Sequence, residues 1–122
     1  MRKTERRRRR GSTTTESLRY QLDACCQEGR LEAMVLADED GLLLAASGDS
    51  CEAVAAKMAI LGSRIREFTG TLLEHGHRWD VQMMKIPVEG TELLVCAVGG
   101  SVEARKRQIA RGAEGAARIL AA

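Results

Sequence analysis

The chain has 122 residues, enough for one compact domain, and its 44% hydrophobic and 30% charged residues supply both a core and a solvated surface. One Trp, one Tyr and one Phe exclude an aromatic base-stacking platform for single-stranded nucleic acid and leave the core to Leu, Ile, Val, Met and Ala. The net charge of +2 hides an asymmetry: residues 1–11 hold seven of the 19 Lys/Arg and one of the 17 Asp/Glu, leaving twelve against sixteen, a net of −4, over the rest.

In chain order, "MRKTERRRRRGS" is a like-charge block with no apolar partner, which predicts a disordered basic tail over residues 1–12 and a folded domain over 13–122. Arg6, Arg7, Arg8, Arg9 and Arg10 are candidate contacts for a polyanion or an anionic membrane, without sequence-specific nucleic-acid recognition. Thr13 and Glu16 have capping-box spacing, Leu18, Leu22 and Cys25 recur at helical spacing, and Gly29 supplies a stop. This predicts a first helix over 14–28. "EAMVLADEDGLLLAAS" then reads as a hairpin with strands over 33–37 and 42–47. Both runs are apolar throughout, so both sheet faces are expected to be covered, and Asp40-Gly41 provides the positive-φ turn. The Asp38, Glu39, Asp40 cluster lacks the further ligands of a calcium loop and is read as a solvated turn.

Asp49 and Glu52 repeat the capping pattern before a long helix expected over 50–74. Its stripe of Cys51, Val54, Met58, Leu61, Ile65, Phe68 and Leu72 steps by three and four. A flanking strip of Ala53, Lys57, Ile60, Arg64, Glu67 and Thr71 mixes one large apolar residue with charges and is a candidate partner surface. "RWDVQMMKIPVEGTELLVCAVGG" predicts a second hairpin, with strands over 79–87 and 92–99 and a Glu89-Gly90 turn. Gln82, Lys85 and Pro87 mark 79–86 as an edge strand, so Val81, Met83 and Lys85 join the candidate dimer surface. Ser101 is positioned to cap a last helix lined by Val102, Ile109, Ala113, Ala116 and Leu120, with Arg105, Lys106, Arg107, Arg111 and Arg118 crowding its remainder. Gly112 and Gly115 in that helix permit close approach to the sheet.

No catalytic, cofactor-binding or metal-ligating set emerges. Cys25, Cys26, Cys51 and Cys96 form no CxxC, and their expected state is free thiol in a reducing cytoplasm. A nucleophilic cysteine would require Cys51 or Cys96 to meet His75 or His77, and Cys96 lies in a run expected to be buried and inert. "VGGSVEARK" places Gly-Gly before a helix and offers amides to an anion, but lacks the phosphate-loop pattern. No apolar run reaches the roughly 18 residues of a membrane span, and no apolar segment follows the charged N-terminus as in a secretory signal.

The order helix, hairpin, helix, hairpin, helix resembles the Roadblock/dynein-light-chain superfamily over about residues 15–121. "AMVLADEDGLLLAASGD", "CEAVAAKMAILGSRIREF" and "GTELLVCAVGG" carry the resemblance. It implies an α+β fold of profilin-like or longin-like type. A mostly antiparallel sheet of four or five strands would have the long middle helix on one face and the N- and C-terminal helices on the other. It also implies homo- or heterodimers joined edge to edge with their long helices side by side, acting as scaffolds or regulators of Ras-like small GTPases. Between Gly76 and Gly99 this chain signals only two strands where the family usually has three. The function expected is a non-enzymatic dimeric module that binds a Ras-like GTPase. The alternatives are a small ligand-sensing domain of profilin-like fold and a polyanion-binding protein acting through its tail.

Overall fold

The computed structural model describes residues 2–49, 51–74 and 76–121, with side chains from Thr13 onward other than that of Glu74. The elements are α1 (Arg2–Gly29), β1 (Ala33–Asp38), β2 (Leu43–Gly48), α2 (Cys51–Gly62), β3 (Glu67–Glu74), β4 (His77–Val88), β5 (Thr91–Val98) and α3 (Val102–Ala121). The strands form one five-stranded sheet in the order β2-β1-β5-β4-β3, with every neighbouring pair antiparallel.

Local chemistry fixes the turns. α1 closes with Arg30 in the left-handed region (φ 51), Leu31 N–H donating to the Cys26 carbonyl at 3.0 Å and Arg30 N–H to the Gln27 carbonyl at 3.4 Å. That is the Schellman arrangement, which satisfies carbonyls the helix leaves open. Between β1 and β2, Asp38 Oδ1 accepts from the Asp40 and Leu42 amides at 2.9 and 3.0 Å, so part of the acidic cluster serves the turn. Glu89 (φ 50) and Gly90 (φ 81) make the two-residue β4–β5 turn whose twist matches its strands. Ser101 Oγ accepts from the Ala104 amide at 3.0 Å and caps α3, as its position predicts.

Two cores lie on the two sheet faces. Leu18, Leu22 and Cys25 of α1 and Ile109 and Ala116 of α3 pack on Met34, Leu36, Leu93, Val95 and Ala97. Val54, Met58 and Ala59 of α2 pack on Val35, Leu94, Cys96 and Val98. Each large buried side chain, such as Leu22 or Met58, contributes about 1.5–3 kcal/mol. Gly112 lets Met34 Cε come within 3.0 Å of where a Cβ would sit, and Gly115 brings Gln21 of α1 to 2.5 Å. The small residues of α3 thus admit α1 as well as the sheet.

Three expectations are corrected. The helix expected over 50–74 ends at Gly62, and its distal half is β3. In "EFTGTLLE" the residues alternate in burial, Thr69 and Thr71 are β-branched, and Gly70 weakens a helix, so the period of two prevails. β3 is therefore the strand missing between Gly76 and Gly99, supplied before the second hairpin. β4 is not an edge: β5 and β3 pair with its two sides, and the edges are β2 and β3. Finally, α1 begins at Arg2 and not near residue 14, so Thr13 and Glu16 lie inside the helix. Arg and Lys are good intrinsic helix formers.

Candidate association surface

α2 is short, and it packs on β1, β5 and β2. A Cβ at Gly41 would meet Ala55, Ala56 and Ala59, so that flank of α2 faces the β1–β2 turn. At about 100° per residue, Lys57 and Leu61 fall on the opposite flank, toward β4 and β3. On this face of those two strands stand Phe68, Leu72 and Trp79, all only partly buried, around the fully buried Val81 and Met83. The register explains the cluster, since Phe68 pairs with Met83, Gly70 with Val81 and Leu72 with Trp79. The His77 ring stacks on Trp79 with centroids 6.1 Å apart and an interplanar angle of 7°. Ile60 (73% exposed) and Ile65 (39% exposed) flank the patch in sequence. Two of the three aromatic residues in the chain thus lie in one incompletely covered apolar area, the composition that interface cores favour.

Beside the patch, β3 is an edge strand with one row of backbone N–H and C=O groups unpaired by the sheet. Its start is held in place. Arg66 donates twice to Glu92 of β5 at 3.0 Å, and the Arg66 hydrogen bonds hold the Glu92 carboxyl below its ordinary range. The Lys85 amide donates to the Arg66 carbonyl at 2.8 Å.

The residues of the sequence-derived surface separate. Ala53, Lys57 and Ile60 remain together on α2. Arg64 lies in the link that follows. Glu67 and Thr71 are exposed on β3, on the face opposite Phe68 and Leu72. Val81 and Met83 are core residues because β4 is interior. Lys85 is a tether: its Nζ donates to the Gly62 carbonyl at 2.9 Å and sits 3.7 Å from Glu39, placing a cation on the carbonyl end of α2. The side chains of Arg6 to Arg10 lie outside the described residues. Sequence reasoning missed Phe68, Leu72 and Trp79 as surface groups. The alternation of 67–72 was the signal that marks them.

Cys96 is buried and its thiol is pushed far up by desolvation. It pairs opposite Met83, whereas His77 lies at the far end of β4 opposite Glu74, so these two do not meet; His75 lies outside the described residues. Burial also raises Cys25, Cys26 and Cys51. Among the described residues, no three His, Cys, Asp or Glu side chains converge as metal ligands, and no helix is long and apolar enough to cross a membrane.

No family model matches the sequence, and neither does any curated protein. Solved structures do match the fold. MglB of Myxococcus xanthus is similar with a TM-score of 0.66 at 10% identity, over 88% of this chain and 90% of that one. An MglB described as having a tetrameric arrangement gives 0.66 at 20% identity, over 87% and 89%. A Roadblock/LC7 domain from Streptomyces avermitilis gives 0.58 at 18% identity, over 85% and 98%. The sheet, the helices on its two faces and these superpositions together show that the chain has the Roadblock/LC7 fold.

Proposed function

We propose that this chain is a non-catalytic association module, in which a second copy or a paralogous subunit covers the Phe68, Leu72, Trp79 patch and adds to the β3 edge. The single observation that carries this reading is that patch, left incompletely covered by a short α2 and adjoining an open strand edge. An antiparallel β3–β3 pairing about a two-fold axis satisfies both edges at once and brings the Lys57 and Leu61 flanks of two α2 helices face to face. The self-association described for one MglB of the same fold supports it.

The joined α2 helices, with Ala53 and Ile60 outward, then form the platform for a partner. From the Roadblock resemblance we assign that partner to the Ras-like small GTPases, regulated in the cytoplasm by contact and not by a group donated from this chain. Light scattering after size exclusion tests the first part: a dimer is expected at micromolar concentration, and Phe68→Glu is expected to give a folded monomer. A strictly monomeric wild type at high micromolar concentration overturns it. For the second part, Ras-like GTPases encoded in the same genome are loaded with GDP or a GTP analogue and assayed for binding and hydrolysis rate. Nucleotide-independent indifference of all of them removes the GTPase assignment and leaves the dimer standing.

A further inference from the structure

The open edge of β3 offers a definite set of backbone groups. The Lys85 amide donates to the Arg66 carbonyl at 2.8 Å, and β3 pairs with β4 in unbroken register from Glu67 opposite Met84 to Glu74 opposite His77. In an antiparallel ladder the backbone groups of successive residues alternate between the two sides of a strand. Phe68, Gly70 and Leu72 therefore turn their amides and carbonyls toward β4, as Arg66 does. Glu67, Thr69, Thr71 and Leu73 turn theirs outward, away from the sheet.

The side chains divide in the same way between the two faces. Phe68 and Leu72 belong to the patch on the α2 side. Glu67, Thr69, Thr71 and Leu73 project from the other face, and all four are exposed, Leu73 by 74%. Gly70 lies between the two sets. A Cβ there would come within 2.8 Å of Phe68 Cζ, so the Phe68 ring lies over the glycine and fills the space of its absent side chain.

Two-fold symmetry restricts how two such edges can meet. Opposed residues of an antiparallel pair point to the same face. With both α2 helices on one face, each residue must oppose one of its own parity, so the axis passes through a residue and not between two. A register centred on Thr71 sets Phe68 opposite the acidic Glu74 and Leu72 opposite Gly70. One centred on Thr69 sets Phe68 opposite Gly70 and Leu72 opposite the basic Arg66. Centres nearer either end leave part of each edge unpaired. Centred on Gly70, the strand matches itself: Phe68 stands opposite Leu72, Thr69 opposite Thr71 and Glu67 opposite Leu73. Every outward amide and carbonyl from Glu67 to Leu73 then has a partner. Phe68 and Leu72 of both copies close over the two glycines, whose Cα atoms approach to about 4.5 Å as a non-hydrogen-bonded pair.

We infer that the partner is a second copy of this chain, held in the one register that places Gly70 on the two-fold axis; this rests on the β3–β3 association proposed above. A paralogous subunit competes only if its own edge strand repeats the same pattern.

The experiment is a double-mutant cycle on the full-length protein. The dimer dissociation constant is read by sedimentation, and folding is checked by circular dichroism. Within one protomer Glu67 and Leu73 are about 20 Å apart along the strand, so coupling between them arises across the dimer. Leu73→Glu sets carboxylates opposite each other at both ends of the paired strands and is expected to weaken dimerisation about five-fold or more. Glu67→Lys alone is expected to change it by less than about two-fold. The two substitutions together replace each repulsion by a Lys–Glu pair and are expected to restore the wild-type constant. A dimer in which the two effects simply add overturns the Gly70 register and leaves the association standing. A dimer that forms only when a paralogous chain is added overturns the assignment of the second copy. A wild-type chain that stays monomeric overturns both this inference and the association on which it rests.

Discussion

The α2 side of the sheet has two halves, and they differ in what lies above them. Over β1 and β5, the side chains of Val35, Cys96 and Val98 are sealed by Val54, Met58 and Ala59. Over β4 and β3, Phe68, Leu72 and Trp79 are only partly buried, because α2 stops at Gly62. The same sheet therefore holds a finished core and an unfinished one. Apolar area that helps fold a protomer and apolar area that helps join two of them are told apart here by the length of a single helix.

The comparison is sharpest in truncation. Met58→Ala is expected to cost about 2–5 kcal/mol in urea unfolding, since it opens a cavity in the sealed half, with no change in oligomeric state at low denaturant. Leu72→Ala is expected to cost about 1 kcal/mol in the isolated protomer and to raise the dimer dissociation constant at least ten-fold, read by analytical ultracentrifugation. The distinction breaks if Leu72→Ala matches Met58→Ala in urea while dimerisation stays unchanged.

The thiols give a second, chemical contrast. Cys96 in the sealed half is expected to resist an aromatic disulfide reagent in the native state, while half-buried Cys26 reacts first. The sign of the pH effect follows. The folded Cys96 pKa is raised above the ordinary 9.0, so the unfolded thiol ionises first as pH rises. Its contribution is complete below about pH 9 and declines above it, and Cys96→Val is expected to flatten that alkaline loss in pH-dependent denaturation curves.

Smaller effects belong to the tethers between the halves. Lys85→Met is expected to cost about 1 kcal/mol by leaving the Gly62 carbonyl without its ammonium donor. The Arg66–Glu92 pair is solvent-exposed, so Glu92→Gln is expected to shift the thermal midpoint only slightly. Because the folded Glu92 pKa is lowered, that small contribution is present at neutral pH and fades as pH falls through and below the usual carboxylate range. A difference between wild type and Glu92→Gln that grows on acidification contradicts the assignment.

Much of this architecture was legible in the residues. The two apolar runs around Asp40-Gly41, the Glu89-Gly90 turn and the Ser101 cap all appear where their chemistry predicts, because each depends on neighbours within a few positions. The boundary at Gly62 did not. Cys51 to Leu72 keeps a three-four rhythm that suits a helix, while 67–72 also alternates, and only pairing with β4 decides between the two periods. Mistaking β3 for helix also made β4 an edge, which misplaced Val81 and Met83. Arg105 was grouped with the solvated arginines of α3. Nothing local distinguishes it from Arg107; its burial comes from Gly99 and Gly100 folding their carbonyls onto it.

The strand order carries a kinetic consequence. β1–β2, β3–β4 and β4–β5 are each joined by a short connection, so these pairings close at small entropic cost. Only the β1–β5 pairing, with Val35 opposite Cys96, spans distant parts of the chain. That junction is expected to form the folding nucleus, with β3 zipping on afterwards. In stopped-flow experiments, Val35→Ala is then expected to slow refolding, whereas Leu72→Ala mainly accelerates unfolding. The reverse assignment of the two rate effects would place the nucleus in the second hairpin. If the nucleus is at the junction, the strand that offers itself to a partner is also the last to join its own sheet.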